Sequence, residues 1–319
     1  MDLILDSDYE TDKPFPDDFD IDNPFCTGEH GTGLETPLFA RGDYHVRVTR
    51  FVSGGCEALM KVVRPMAQAQ YGERWKNEFP VSNIPKPEKS ESEIEADKKD
   101  NVRRAVSRAK QTTRFLAQQM CADRLLTLSY RENMEDRQKA CDDFRRFVRL
   151  VKHGWKGRSG LPNWRYVAVL ERQQRGAYHV HIAVCGWQPI TFLRECWYRA
   201  LGASIDAKGS DTPGGINVTP PRDHNGPSRK KEWATVRLAS YIVKYMHKTF
   251  DESTTEKHRY WRSRDIAVPV TYRHWLVATN MEEAINELIS YLSLAEQFEM
   301  RRHWGSDDGG CYWIQGVCE

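Results

Sequence analysis

The strongest constraint on the fold is a pair of short runs, rich in β-branched and aromatic residues, near the middle of the chain. Residues 166–171 and 178–184 both alternate in polarity, as strands do. The six residues between them are polar and include one glycine, which suits a short hairpin loop. The sequence therefore predicts an antiparallel β-hairpin here.

Three potential metal ligands lie on this hairpin. His179 and His181 are two residues apart, so both side chains project from one face of the strand. Glu171 ends the partner strand and can reach the same face. Two imidazoles and a carboxylate would form a three-ligand divalent metal site with open positions. The alternative is two half-exposed histidines of no special function.

A second group of functional side chains follows on a predicted helix, residues 232–251. Tyr241 and Tyr245 are four residues apart and share one face, as do Lys244 and Lys248. Paired phenols beside ammonium groups suit covalent attack on a phosphodiester, because a nearby cation can activate a weakly nucleophilic phenol. The alternative is that both tyrosines are ordinary core residues. The apolar stripe of this helix is Leu238, Ala239, Ile242, Val243 and Met246.

Together these motifs resemble the HUH endonuclease superfamily, and most closely its rolling-circle replication initiators of phage and plasmid type. The resemblance rests on histidine-hydrophobe-histidine in a strand and on Tyr-x-x-Lys-Tyr-x-x-Lys in a later helix. A third element, an apolar strand ending in Thr-x-Ser, matches residues 125–129. The resemblance covers about residues 122–251. It implies a mainly antiparallel sheet that carries the two histidines on its central strands.

The resemblance also implies roles for these residues. His179, His181 and Glu171 would hold Mg²⁺ or Mn²⁺, with His224 as another candidate for the third ligand. Tyr241 or Tyr245 would attack single-stranded DNA at a replication origin, with a hairpin as one form of the target. The products would be a 5′-phosphotyrosine and a free 3′-hydroxyl. Lys244 or Lys248 would stabilise the developing charge. Whether both tyrosines act in turn stays open.

Further candidate DNA contacts lie outside these motifs. Aromatic and basic residues alternate directly after the tyrosine helix, which suits stacking on unpaired bases and pairing with phosphates. Basic residues also line the predicted helix 134–153. The alternatives are a Trp or Tyr core anchor and solvated surface arginines. The candidates are Arg259, Tyr260, Trp261, Arg262, Arg145 and Arg149.

Charge and composition predict four segments in an α+β protein with one central, mainly antiparallel sheet flanked by helices. Residues 1–40 hold eleven acidic residues and one Lys, and we expect a disordered acidic arm. Residues 41–121 form an extension and linker, 122–251 the nickase domain, and 252–319 a packing and DNA-binding extension. Residues 123–251 hold 23 Lys and Arg against 13 Asp and Glu, which favours a polyanionic partner.

Outside the central domain the sequence predicts fewer elements. We expect a strand at 44–52, a short helix at 56–71, a linker at 80–100 and a helix at 101–121. A strand at 268–279 and a helix at 281–300 follow, whereas the last residues give no prediction.

The sequence also limits the setting in which the protein works. Without an apolar run of the roughly 20 residues needed to span a membrane, and without Cys-x-x-Cys pairs, it predicts a cytoplasmic protein with no membrane partner. No P-loop motif is present, so unwinding would come from a host helicase and the host replication machinery.

Other functions compete with a replication initiator. An HUH transposase would carry the same motifs, whereas a relaxase would place its tyrosine before the histidines. A non-catalytic origin-binding protein and a nuclease that uses water are further alternatives. The first of these would keep the fold without the reaction, and the second would leave no covalent adduct.

Overall fold

The computed structural model describes residues 42–63, 90–156, 163–219, 231–247, 260–295, 298–306 and 310–318. Within these residues, two antiparallel five-stranded sheets are packed with five helices. The predicted α+β class is confirmed. The predicted disorder of residues 1–40 lies outside the described residues. In chain order the elements are β1 (Gly42–Arg50), β2 (Gly55–Val63), α1 (Glu91–Gln119), β3 (Arg124–Tyr130), α2 (Arg137–Lys156), β4 (Tyr166–Arg172), β5 (Tyr178–Val184), α3 (Ile190–Ala200), β6 (Gly214–Thr219), α4 (Lys231–His247), β7 (Trp261–Arg262), β8 (Val270–Ala278), α5 (Met281–Ala295), β9 (Phe298–Gly305) and β10 (Cys311–Cys318).

The predicted hairpin lies at the centre of the first sheet, which we call the histidine sheet. Its strand order is β6-β3-β5-β4-β7, so β5 with its two histidines is the middle strand. The β4–β5 turn closes when the Gln173 amide donates to the Ala177 carbonyl at 2.8 Å. Gly176 has φ of 88° there, a left-handed conformation that glycine adopts without strain.

Helices cover both faces of the histidine sheet. On one face α2 and α3 build an aromatic core, in which Phe144, Phe147 and Trp197 are almost fully buried. On the other face α1 and α4 pack over β3, β4 and β5. The predicted stripe of α4 is confirmed there: four of its five residues are at most 1% exposed, and Leu238 is partly buried.

A second sheet, which we call the terminal sheet, was not predicted. Its order is β8-β1-β2-β10-β9, so strands from the two ends of the described chain meet side by side. Helix α5 covers one face, where Leu288 and Leu292 pack with alternate residues of β1 and β2, including Val46 and Met60.

Several predictions for the outer segments are wrong. The segment predicted as a helix at 56–71 begins with strand β2, because it pairs with β1 along its full length. The predicted helix 281–300 ends at Ala295, and β9 begins at Phe298. The predicted linker 80–100 contains the start of α1, where Ser90 and Glu93 form a capping box.

Helix α1 lies between the two sheets. Its apolar side, including Leu116 and Ala117, joins the core beneath the histidine sheet. Its polar side reaches the terminal sheet, where Arg114 Nη2 donates to Glu57 Oε2 at 2.8 Å. Both side chains of this ion pair are about 5% exposed. The helix therefore contributes to both sheets.

Candidate active site

The strand register brings the predicted ligands to one face of the histidine sheet. Glu171 is paired with His179 across the β4–β5 ladder, and Thr127 on β3 is paired with His181. Directly paired residues project to the same side, as do residues two apart on one strand. All four side chains therefore lie on the face that carries α4.

His181 is held in place at both ring nitrogens. Its Nε2 lies 2.6 Å from Glu171 Oε2, and its Nδ1 lies 3.2 Å from Thr127 Oγ1. His181 and Glu171 are each 4% exposed. A carboxylate accepts hydrogen bonds, so Nε2 carries the proton in this arrangement and the Thr127 hydroxyl donates to Nδ1. The imidazole is thus fixed in one orientation.

His179 lies next to this pair and is half-buried. Its Nδ1 lies 3.1 Å from the side-chain amide nitrogen of Gln173, which can donate to it. Burial, followed by the charges of His181 and Arg175, lowers the pKa of His179, and Glu171 opposes this only in part. The ring is therefore neutral at pH 7, the form in which imidazole binds metals.

Two of the three predicted ligands converge. Within the described parts of the chain, no group of three or more His, Cys, Asp or Glu side chains is arranged so that it could hold a metal ion. His181 and Glu171 are in contact, whereas His179 lies on the same face with its Nδ1 against Gln173. The donor chemistry suits a divalent cation, which would replace the proton shared by His181 and Glu171. His224 lies outside the described residues.

The tyrosines of α4 lie directly over this pair. The ring of Tyr245 is stacked on the His181 imidazole, with centroids 3.5 Å apart and planes 8° apart. The Tyr245 hydroxyl donates to the Tyr241 hydroxyl at 2.7 Å, and the two phenol rings meet edge to face. Lys244 is exposed on the same helix, and Lys248 lies outside the described residues.

The helix presents the tyrosines in this way because of its apolar spacing. Ala239, Ile242 and Val243 are fully buried against the sheet. Tyr241 and Tyr245 are partly buried members of the same cluster. Phenol groups at the edge of a buried face can reach the ligands and still meet a substrate.

The predicted DNA contacts divide between the two faces of the histidine sheet. Arg262 is paired with Val167, a residue of the core beneath α4, and Tyr260 packs against that same core. Trp261 projects to the opposite face, where it meets Phe144 edge to face at 5.1 Å.

A groove on that opposite face brings together the other predicted arginines. Arg145, Arg149 and Trp261 line it. Arg145 forms an ion pair with Asp142 at 2.6 Å, and Arg149 is exposed. Arg259 lies outside the described residues.

Comparison with protein families agrees with these motifs. A family model for replication-associated proteins of the ORF2 type matches residues 123–250. The match supports a replication initiator. Its limits fall within one residue of those of the resemblance seen in the sequence. No curated protein and no solved structure matches the chain significantly. None of the described helices has the length and apolar character required to cross a membrane.

Two residues of this initiator-like site were not assigned a role from the sequence. Thr127 belongs to the strand motif, but its contact with His181 Nδ1 depends on the β3–β5 register. Gln173 lies in the hairpin loop and contacts His179. Strand alternation alone indicates the first of these, because Thr127 is a polar residue between buried Leu126 and Leu128.

Proposed function

We propose that this protein is a rolling-circle replication initiator that nicks and rejoins single-stranded DNA through a 5′-phosphotyrosine. The observation that carries the proposal is the contact of the tyrosine helix with the buried histidine and glutamate. Tyr245 is stacked on His181, and the Tyr241 hydroxyl is 2.7 Å from that of Tyr245. A helix packed elsewhere on the sheet would have left the tyrosines without this chemistry.

The residues that would hold Mg²⁺ or Mn²⁺ are His181 and Glu171, joined by His179. When bound, such an ion acts as a Lewis acid toward the phosphate oxygens of the scissile nucleotide. Thr127 fixes the orientation of His181, because it contacts the ring nitrogen that faces away from Glu171. Such a partner in the outer shell keeps a ligand ready to bind.

The reaction would exchange one phosphodiester for another. The phenolic oxygen of Tyr241 or Tyr245 attacks the phosphorus, and the bond from phosphorus to the 3′-oxygen breaks. The phenol loses its proton, and the 3′-oxygen leaves as a hydroxyl after it takes up a proton. The new phosphotyrosine bond keeps the energy of the old bond, so the reverse step can reseal the strand without ATP.

The paired tyrosines suit two successive reactions. Their hydroxyls are 2.7 Å apart, so one phosphate position can serve either oxygen with little movement. A hydrogen bond from one phenol stabilises negative charge that develops on the other. Lys244 is exposed beside them, and we assign it, together with Lys248, the stabilisation of charge on the phosphate.

The DNA strand would enter beside α4. Tyr260 and Arg262 lie on this side of the histidine sheet and are placed to contact the scissile strand. Arg145, Arg149 and Trp261 form a separate groove on the opposite side and would contact another part of the origin. Because the sequence has no P-loop, a host helicase would separate the strands.

A denaturing gel tests the proposal. The protein is incubated with Mn²⁺ and labelled single-stranded oligonucleotides that tile the replicon carrying its gene. We expect a labelled band of protein size that disappears in the Tyr241→Phe/Tyr245→Phe double variant and in His181→Ala. Trp187→Phe is a matched control, because Trp187 is 68% exposed and outside this cluster.

The outcomes separate the competing functions. Cleavage without a covalent band would indicate a nuclease that uses water. Binding of origin DNA without cleavage would leave a non-catalytic origin-binding protein. An adduct that persists in the double variant would contradict the role of both tyrosines.

A further inference from the structure

The terminal sheet carries a second aromatic and basic surface, remote in sequence from the histidines. Its strands β8, β1 and β2 are paired so that Trp275, His45 and Lys61 form one cross-strand row. Arg273 and Arg47 stand in the next row on the same side. We call these five residues the Trp275 face. The opposite side of the sheet is the apolar core under α5.

Trp275 is exposed although it lies in a regular strand. Its side chain is 63% exposed, and its ring meets that of His45 with centroids 5.0 Å apart. Arg273, two residues away on the same strand, is also exposed. A large aromatic ring fixed by a neighbouring ring and open on its other side is a stacking platform for a planar group.

The charge of this face is positive. Burial, and then the charges of Arg273, Arg47 and Lys61 in turn, lower the pKa of His45. Burial, and then the charge of Arg273, lower the pKa of Arg47 as well. These cations are close enough to act on one another, so they form a local concentration of positive charge. Such a surface attracts a polyanion.

Helix α1 limits the face on one side. Arg47 also lines a pocket in which Lys110 and Arg114 of α1 take part. Glu57, the acidic residue of that pocket, is bound by Arg114. The acid nearest to the face is therefore already neutralised by an ion pair.

We propose that the Trp275 face binds single-stranded DNA at a second site, away from the tyrosines. A base would stack on Trp275, and the neighbouring phosphates would pair with Arg273 and Lys61. The choice of DNA as the polyanion rests on the proposed function, whereas the platform and its charge do not. A second copy of the chain fits less well, because two-fold pairing of this basic face would bring its cations together.

Fluorescence polarisation tests this site without the reaction. The Tyr241→Phe/Tyr245→Phe protein is titrated into labelled dT20 in EDTA at several NaCl concentrations. We expect Trp275→Ala to weaken binding by roughly 5- to 150-fold, the range for loss of one stacked base. Arg273→Ala should lower the slope of log affinity against log salt by about 0.7, as for one phosphate contact on a single strand.

Tyr272→Ala is the matched control. Tyr272 is an exposed aromatic residue of the same strand, 47% exposed, and its cross-strand partner Val48 belongs to the core on the opposite face. We expect this variant to bind dT20 within about twofold of its parent. If Trp275→Ala and Arg273→Ala bind no more weakly than Tyr272→Ala, the inference is refuted.

Cross-linking gives an independent measurement. A dT20 strand that contains 5-iodouracil is irradiated with the protein, and the attached peptide is identified by mass spectrometry. We expect attachment at Trp275. Sedimentation that shows a dimer of the parent, lost in Trp275→Ala, would instead assign the face to a second copy and overturn the proposal.

The two proposals can fail separately. A protein that binds dT20 through Trp275 but forms no covalent adduct keeps this site and loses the proposed reaction. A protein that forms the adduct but cross-links to dT20 only near α4 keeps the reaction and loses this site.

Discussion

The buried ion pair between the terminal sheet and α1 allows a quantitative prediction. Glu57 is 4% exposed and accepts three side-chain hydrogen bonds. The donors are Arg114 Nη2 at 2.8 Å, Gln118 Nε2 at 3.1 Å and Gln315 Nε2 at 2.7 Å. Glu57→Gln keeps the volume but leaves the Arg114 charge buried without its carboxylate.

Removal of one partner of a buried ion pair costs about 3–5 kcal/mol. That is a large part of the roughly 5–15 kcal/mol by which folded domains are stable. At roughly 2–4 °C per kcal/mol for a protein of this size, we expect the melting temperature to fall by roughly 6–20 °C. Urea unfolding followed by circular dichroism measures the change in free energy.

A double variant tests the cause of this loss. In Glu57→Gln/Arg114→Met no charge remains buried, and the introduced amide can still accept from Gln118 or Gln315. The double variant should therefore lose less stability than the two single losses added together. Asp265→Asn is the control, because the Arg165–Asp265 pair is about half exposed and should contribute about 0–1 kcal/mol. Additive losses at Glu57 and Arg114, or a loss no larger than that of Asp265→Asn, would refute the reasoning.

Two further predictions concern the candidate site and its surroundings. Thr127→Val removes the partner of His181 Nδ1, and we expect Mn²⁺ affinity, measured by electron paramagnetic resonance, to fall about 10- to 100-fold while Thr127→Ser stays near the parent. Equal Mn²⁺ affinities for the two variants would contradict this role. The pKa values of His179 and His45 are lowered in the folded state, so the unfolded chain takes up protons first as the pH falls below about 6.5. The urea midpoint should therefore be highest above that pH and drop toward pH 5, with a smaller drop in His179→Gln and in His45→Gln; an unchanged drop in both would show that other groups are responsible.

The histidine sheet could be predicted because its signals are local. Strands β4 and β5 alternate clearly, they are joined by a short loop, and α2 and α4 have regular apolar spacing. The register of this hairpin then followed from the chain, and it brings Glu171 and His179 opposite each other. The stacking of Tyr245 on His181 could not be predicted, since it depends on how α4 crosses the sheet.

The terminal sheet could not be predicted because its pairings join distant segments. Strand β1 pairs with β8, more than 200 residues later in the chain. Strand β2 contains Glu57, Ala58, Leu59 and Met60, which favour a helix by intrinsic propensity. Pairing with β1 and β10 on both sides overrides that preference.

Edge position explains the misread end of the chain. Strand β9 lies at one edge of the terminal sheet, and most of its side chains are exposed or half-buried. A mostly polar edge strand lacks the apolar alternation that identifies a strand in a sequence. Strand β10 is its buried neighbour, in which Trp313 and Ile314 are at most 2% exposed.

Mass spectrometry of the covalent adduct tests the central claim most directly. Trypsin cleaves after Arg237, Lys244 and Lys248, so the two tyrosines fall in separate peptides, residues 238–244 and 245–248. After reaction with origin DNA and digestion with nuclease, we predict a nucleotide phosphate on one or both of these peptides. Cleaved DNA with both peptides unmodified would contradict the account.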